Sequence, residues 1–374
     1  MSGRMERLGA AVRRLGDRHA VSDTHLGCFR IAFCLYYLLV LGVPNYVWIT
    51  RASPSFFYPP IGIPWFFPGF PPSLVFYAVS ALVLAGYIAL LLGWRTRQVG
   101  IALTALLLFG HGFKYSFAKI DHDIVHVMVP LAMSWSGWGR RFSIDALRGS
   151  AREASRWGGL IMAGLLAFGF FTAGWPKLRG WVDFDLSTQG ARSWVLRGYY
   201  LNGRQDWLSP TFARMENPWI WEMMDLGAVV FELGFMIAIL APRAFRFWVA
   251  IAVGFHFWNN LMLNIPFTGM MSVYLFFVSW DRVAATPAFG RASAWVSQRR
   301  RWGVGLLALY LVGFVAAQQL GSMPAAILVT PLNLLEVFAP EYYKGRAICI
   351  LTIALLVAVA HVLASLRGRA DDPA

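Results

Sequence analysis

The residues of this chain that could do chemistry are a few ionisable side chains set among long apolar stretches. Lys177 follows Trp175 and Pro176 at the end of an apolar helical pattern, and Trp181 comes shortly after. A lysine in this position can be a membrane anchor whose ammonium group reaches the lipid headgroups. It can instead be a base, provided that an apolar surrounding favours the free amine. The residue types alone leave both interpretations open.

Histidines supply the second group of candidates. His122 and His126 are four residues apart, a spacing that places both on one face of a helix. The pair could ligate a metal ion, but such histidines in membrane helices more often form hydrogen bonds between helices. We therefore predict no metal site. His256 lies in a later apolar stretch and is followed by Asn260.

The composition is typical of a polytopic helical membrane protein. Of 374 residues, 58% are hydrophobic and 14% are charged, whereas a soluble protein of this length carries about 25% charged residues. The mean hydropathy is +0.54. A net charge of +14 would suit a nucleic-acid-binding protein, but the arginines fall in short clusters between apolar stretches, where they set membrane topology. We predict an all-α membrane helix bundle with the lipid bilayer, and no nucleic acid, as its partner.

Ten apolar stretches are long enough, or nearly so, to cross a bilayer as helices. We predict spans at 27–47, 73–93, 98–115, 122–136, 157–174, 225–241, 244–262, 264–280, 303–321 and 346–365. The organisation that follows is a basic N-terminal segment, a membrane domain, and C-terminal membrane helices with a short tail, at 1–26, 27–282 and 283–374. Within the membrane domain, residues 175–224 form a small external cap. Residues 48–72, rich in proline and aromatics, suit a rigid loop at headgroup level that could act as a lid.

Lysine and arginine are distributed unequally between alternate loops. One set of loops carries about twice as many as the other, and the richer set includes both chain ends, so both termini are predicted to be cytoplasmic. This orientation places His122, His126, Lys177 and His256 in the outer half of the membrane, and we expect them to line one cavity. Arg30 lies inside the first span nearer the cytoplasmic side, and we expect a structural role for it, with Glu232 or backbone carbonyl groups as its partners.

Five stretches resemble the HTTM family, the membrane domain shared with vitamin K-dependent gamma-glutamyl carboxylase. They occur in the family's order across about residues 24–282. The stretches are LGCFRIAFCL (26–35), LLLGWRTR (90–97), DHDIVHVMVPLAM (121–133), FTAGWPKL (171–178) and FHFWNN (255–260).

The resemblance implies a quinol-coupled enzyme of the bacterial cytoplasmic membrane. In the carboxylase, a lysine base deprotonates reduced vitamin K, whose reaction with oxygen yields the strong base that removes a proton from glutamate before carbon dioxide is captured. Lys177 stands at that lysine's position and His122 at that of a histidine close to the quinone, which implies catalytic roles for both. Cofactor binding is assigned to His126, His256, Trp175 and Asn260. The implied cofactor is a reduced quinone, with O2 and CO2 as co-substrates.

The chain also departs from the carboxylase. Asp121 stands where the carboxylase has an amide, Pro176 where it has a second lysine, and Glu232 where it has a shorter acid. The carboxylase's large external substrate-binding domain has no counterpart. The substrate, an exported peptide or a small molecule, therefore stays open. The alternative function is that of a non-enzymatic transporter or a helper in export or processing.

Overall fold

The structure is a computed structural model that describes residues 2–117, 120, 122–150, 157–183, 185–298 and 342–367. Every regular element in these ranges is a helix and none is a strand, which confirms the all-α prediction for this part of the chain. The chain divides into two compact units. Unit 1 comprises Met1–His19, Gly159–Phe277 and Lys344–Ala374, and unit 2 comprises Ala20–Gly158 and Val278–Tyr343.

Unit 2 is built around its three longest packed helices, Asp23–Leu35, Ser73–Leu92 and Thr96–Lys114. The first of them continues as a π-helical turn, Tyr36–Leu41. Its helices are α2 (Asp23–Leu35), α3 (Ser73–Leu92), α4 (Thr96–Lys114), α5 (Asp123–Val127), α6 (Val129–Met133), α7 (Ile144–Leu147), α14 (Trp280–Ala284) and α15 (Pro287–Gln298). The helical turn ends at Gly42, which has a φ of 94°. The first span therefore ends earlier than the predicted residue 47.

Unit 1 contains the other described α-helices. They are α1 (Ser2–Arg18), α8 (Gly158–Gly180), α9 (Gly190–Leu196), α10 (Ser209–Ala213), α11 (Pro218–Ala238), α12 (Pro242–Leu263), α13 (Thr268–Tyr274) and α16 (Tyr342–Arg367). Helix α8 continues beyond the predicted end at residue 174 and carries Pro176 and Lys177 in its last turns. The expectation of a helix end before Lys177 is thus corrected.

Four helical stretches of the described chain are long and apolar enough to cross a membrane: Asp23–Leu41, Ser73–Leu92, Gly158–Gly180 and Gly345–Ala364. They coincide with the first, second, fifth and tenth predicted spans. The structure thus agrees with an all-α membrane protein but does not give about ten such helices. Helices α4, α11 and α12 are similarly long but are not among these four stretches. The predicted span at 303–321 lies outside the described residues.

The predicted span at 122–136 is not a continuous helix. It breaks into α5 and α6 at Met128, two residues before Pro130, because proline cannot continue the backbone hydrogen-bond ladder of a helix. The apolar helical stretch Asp123–Met133 is too short by itself to cross a bilayer core of about 30 Å at about 1.5 Å per residue. The predicted span at 264–280 is likewise a short helical stretch, Thr268–Phe277.

The broken segment nevertheless follows α4 from one end to the other. Near the C-terminal end of α4, Lys114 forms an ion pair with Asp123. At its N-terminal end, the Asp145 carboxylate accepts hydrogen bonds from the backbone amides of Arg95 (2.7 Å) and Thr96 (2.8 Å). Helix α4 has 19 residues, which corresponds to about 28 Å. Two short helices and the turns after them therefore cover the distance that a single helix was predicted to cover.

Arg30 holds these turns against α2. Its side chain is fully buried, and its guanidinium group donates to the carbonyl oxygens of Trp138 (2.5 Å), Arg141 (3.3 Å) and Phe142. A buried guanidinium group needs such acceptors because leaving it unbonded in an apolar interior would be costly. Of the two partners left open for Arg30, the structure shows the backbone carbonyl groups, whereas Glu232 pairs with Lys177.

The proline-rich loop and the cap each pack on their own unit. In the loop, Phe70 stacks on Phe117 with ring centroids 5.6 Å apart, while Tyr58 and Phe66 point outward. In the cap, a small apolar cluster joins α9 and α10 to α11 and α12, and its buried members are Ala191, Val195, Phe212, Trp221 and Met262. Asp225 fixes the start of α9 by accepting from the backbone amides of Gly190 and Ala191 at 2.8 and 2.7 Å.

Gly93 ends α3 in a left-handed conformation with a φ of 68°. A Cβ atom there would lie 2.2 Å from Ser143 Cβ and 3.1 Å from Arg30 Cζ. We expect Gly93→Ala to lower the free energy of unfolding by about 2–4 kcal/mol, because backbone strain and overpacking add. Gly203→Ala is the matched control. Gly203 has a φ of 61° with nothing within 4 Å of its Cβ position, so only the strain of about 1 kcal/mol applies. Equal losses in thermal unfolding of the two variants would contradict the close contact at Gly93.

Candidate functional site

Lys177 forms an ion pair with Glu232, and this pair joins the end of α8 to the middle of α11. The Lys177 Nζ atom donates to Glu232 Oε1. The Glu232 side chain is 5% exposed and that of Lys177 is 23% exposed, so the pair is screened from solvent mainly on the carboxylate side. Gly174 allows the close approach of the helices, since a Cβ atom there would lie 2.9 Å from Glu232 Cβ.

Tryptophans flank Lys177 unequally. The Nζ atom lies 5.1 Å from the ring centroid of Trp181, a distance at which an ammonium group is attracted to the aromatic face. Trp175 is 48% exposed and packs against Phe171, with ring centroids 5.8 Å apart. Of the two tryptophans expected to surround the lysine, Trp181 is the one with this close contact. The cofactor-binding role of Trp175 stays a prediction.

His256 and Asn260 lie on α12, where they are buried. The His256 ring stacks on Phe170 of α8 and on Phe267, and its Nε2 atom is 2.7 Å from the Tyr274 hydroxyl. The contacts of Phe170 therefore connect α8, which carries Lys177, to α12. Asn260 Nδ2 is buried without a hydrogen-bond partner among the described residues.

An apolar groove of about 610 Å³ borders the same helices. It lies between α11, α12 and α16 and includes Phe231 and Phe255, the chain neighbours of Glu232 and His256. The other lining residues are Phe247, Ala250, Ile251, Gly254, Trp258, Leu355, Ala358, Val359, Val362 and Leu363. A groove of this volume and chemistry can hold a lipophilic chain.

The second polar cluster belongs to unit 2 and surrounds Asp123. His126 Nε2 donates to Asp123 Oδ1 at 3.0 Å, so that its Nδ1 atom accepts from the Tyr37 hydroxyl at 2.5 Å. Lys114 pairs with the other carboxylate oxygen. The chain Tyr37–His126–Asp123–Lys114 thus runs from a fully buried phenol to a partly exposed ammonium group.

His122 lies at the exposed edge of this cluster. Its Nε2 atom is 3.7 Å from Asp123 Oδ1, and its side chain is 34% exposed. The two histidines predicted to share a helix face therefore approach the same carboxylate oxygen, although His122 precedes the first residue of α5. In the described part of the chain, no group of three or more histidine, cysteine, aspartate or glutamate side chains is placed to hold a metal ion.

The structure places the predicted site residues in two groups. Lys177, His256, Asn260 and Trp175 belong to unit 1, whereas His122 and His126 belong to unit 2. The expectation that His122, His126, Lys177 and His256 line one cavity stays a prediction.

Several polar partners of these residues were not predicted from the sequence. Tyr37 was not expected to bond His126, and Glu232 was not matched with Lys177, its partner 55 positions earlier. An isolated acid in an apolar helix is a signal that a cation lies on a neighbouring helix. The sequence offers Arg30 and Lys177 as candidate cations for Glu232. It does not show which of their helices packs against the helix that carries Glu232.

A comparison of the chain with protein-family models, with characterised proteins and with solved structures finds no match.

The hydrogen bond of Tyr37 gives a test of the unit 2 cluster. We expect Tyr37→Phe to lower the free energy of unfolding by about 1–3 kcal/mol, because the buried His126 Nδ1 atom loses its donor. Thermal unfolding in detergent measures the change. Tyr58→Phe is the control: Tyr58 is 86% exposed, and a change within about 0.5 kcal/mol is expected. A Tyr37→Phe variant as stable as the control would show that the phenol does not support the cluster.

Proposed function

We propose that this protein is an integral membrane enzyme that uses Lys177 as a base on a lipophilic quinol, with His122 as a second catalytic group. The product of that step would serve to carboxylate or otherwise modify an exported peptide or a small substrate. The observation that carries the proposal is the Lys177–Glu232 pair, in which one carboxylate oxygen bonds the lysine and the other, Oε2, is buried without a hydrogen-bond partner in the described part of the chain.

The pair is suited to moving a proton. A proton that passes from Lys177 Nζ to Glu232 leaves an amine and a carboxylic acid, both uncharged. An apolar setting favours this exchange because burial penalises each of the charged forms. Lys177 can then accept a proton from a substrate hydroxyl, while the cation–π contact with Trp181 stabilises the ammonium group that results.

The residues present fit a quinol. Each quinol hydroxyl donates one hydrogen bond and can accept another, and Glu232 Oε2 and Asn260 Nδ2 are a buried acceptor and a buried donor of unit 1. Its isoprenoid tail needs an apolar path, which the groove beside Phe231 and Phe255 supplies. When bound, the quinol would supply an oxidisable hydroxyl that generates a strong base with O2. His126 and His256 are assigned to holding the cofactor.

Substitution of Lys177 distinguishes a role as a catalytic base from a role as a membrane anchor. Lys177→Arg keeps the charge and the long stem, but arginine does not lose its proton in a protein. We expect this variant to lower the rate of quinol oxidation at least about 100-fold, the usual contribution of a general base. The assay follows oxidation of a reduced quinone in detergent, with and without oxygen and carbon dioxide.

The reverse exchange two residues later is the matched control. Arg179 is exposed on the same helix, and Arg179→Lys should leave the rate within about twofold of the unchanged protein. Full activity of Lys177→Arg in this assay would make the lysine an anchor and favour the transporter or export-helper function instead.

We further propose ten membrane crossings in the bacterial cytoplasmic membrane, with both termini in the cytoplasm and residues 175–224 outside. Four long apolar helices and the unequal distribution of lysine and arginine support this topology. The broken segment along α4 counts as one of the crossings, because irregular backbone is tolerated at membrane depth when protein surrounds it.

Cysteine labelling tests the orientation. Gly203 is exposed with open space around its Cβ position, so Gly203→Cys should react with a membrane-impermeant thiol reagent on intact cells. Ser150→Cys, at an exposed position of the opposite loops, should react only after lysis. Both are made with Cys349→Ser, since Cys349 is exposed and the other cysteines are buried. Labelling of Gly203→Cys only after lysis would overturn the orientation.

A further inference from the structure

A basic cavity of unit 2 lies at the end of α3 and α4 that is opposite Lys114 and Asp123. Its volume is about 610 Å³, and its lining includes four arginines: Arg95, Arg97, Arg140 and Arg148. Three tryptophans, Trp94, Trp135 and Trp138, complete the walls together with small and polar residues. Nothing in the proposed quinol chemistry uses this cavity.

The charge of the cavity is strongly positive. Asp145 is the one acidic residue among its described lining residues, and its two carboxylate oxygens already accept from Arg95 N, Thr96 N and Thr96 Oγ1. Arg140 forms an ion pair with Asp23, in which the Arg140 Nε atom lies 3.1 Å from Asp23 Oδ2. The lining therefore retains a clear excess of guanidinium groups over carboxylates.

Two of the arginines are held in place by aromatic rings. The Arg95 guanidinium carbon lies 5.3 Å from the ring centroid of Trp94, and that of Arg97 lies 5.2 Å from the ring centroid of Trp135. Contact with a ring face leaves the N–H groups at the edge of a guanidinium available. That edge is the part of arginine that binds a phosphate group with two parallel hydrogen bonds.

The position of the cavity favours a lipid headgroup as the source of a bound phosphate. Helix α3 is one of the four membrane-spanning candidates, and it ends at Leu92, two residues before Trp94. The cavity thus begins where the apolar helix ends, and if α3 spans the bilayer this end lies at the depth of the lipid headgroups. Trp94 and Trp135 are 40% and 46% exposed, as tryptophans at a membrane interface commonly are. Basic pockets at this depth bind anionic headgroups.

We propose that this cavity is a binding site for the phosphate of an anionic phospholipid, with Arg97 and Arg148 as its principal ligands. The lipid would stabilise the turns between α6 and α7, which form much of the cavity wall. An acyl chain would extend from the headgroup along the apolar surface of α3.

The test compares the full-length protein in nanodiscs of phosphatidylcholine and in nanodiscs that also contain phosphatidylglycerol. Phosphatidylglycerol should raise the midpoint of thermal unfolding, and Arg97→Gln/Arg148→Gln should lose most of that increase while matching the unchanged protein in phosphatidylcholine. Arg282→Gln/Arg291→Gln removes two exposed arginines of unit 2 elsewhere and should keep the increase. An equal loss in this control would overturn the site, because it would mean that net charge alone attracts the lipid.

Two further measurements complete the test. Inorganic phosphate added to protein in phosphatidylcholine nanodiscs should give no comparable increase, and an equal increase would overturn the lipid as the source of the phosphate. If the double variant does not fold, Arg148→Gln alone serves as the second variant, since Arg148 is exposed and does not cap α4. It should lose part of the increase, and an unchanged increase would overturn the proposal.

Discussion

The structure depends on one constraint: a charged group among apolar helices must find its partners within the protein. Arg30, Lys177 and Asp123 each meet this constraint differently. Arg30 uses backbone carbonyl groups, Lys177 uses a carboxylate on another helix, and Asp123 lies between a lysine and a histidine. Because an unpaired buried charge costs several kcal/mol, these contacts determine which helices lie together within each unit. The same contacts include the candidate reactive side chains Lys177 and His126.

Unit 2 shows how such contacts replace a regular helix. Pro130 interrupts the helical segment Asp123–Met133, and the backbone groups of the turns that follow it must be bonded in some other way. Arg30 supplies donors for the free carbonyl groups of the turns, and Asp145 accepts from the first amides of α4. The broken segment is therefore stabilised by side chains at both ends. It leaves a basic cavity at one end and the Tyr37–His126–Asp123–Lys114 chain at the other.

In unit 1, an aromatic cluster and a partly buried ion pair lie along the same helix, α8. Phe170 stacks on Phe235 with ring centroids 4.2 Å apart and lies beside His256, so three helices meet around one aromatic side chain. The Lys177–Glu232 pair lies farther along α8 than this aromatic cluster. A packed apolar layer beside a lysine–carboxylate pair is the arrangement that the proposed base chemistry on a lipophilic substrate would need, since close packing fixes the distance between reacting groups.

The sequence by itself determined the all-α class and the helix Ser73–Leu92, whose predicted and observed limits nearly coincide, because a long apolar stretch in a membrane protein has few other stable structures. It also predicted a structural role for Arg30 but left open whether Glu232 or backbone carbonyl groups are its partners. Only the tertiary structure decided that Glu232 pairs with Lys177 and that Asp145 caps α4. Residue periodicity identifies the face on which a side chain lies but not the helix packed against that face. For the same reason, the spacing of His122 and His126 could not show that Asp123 and Tyr37 are the partners of His126.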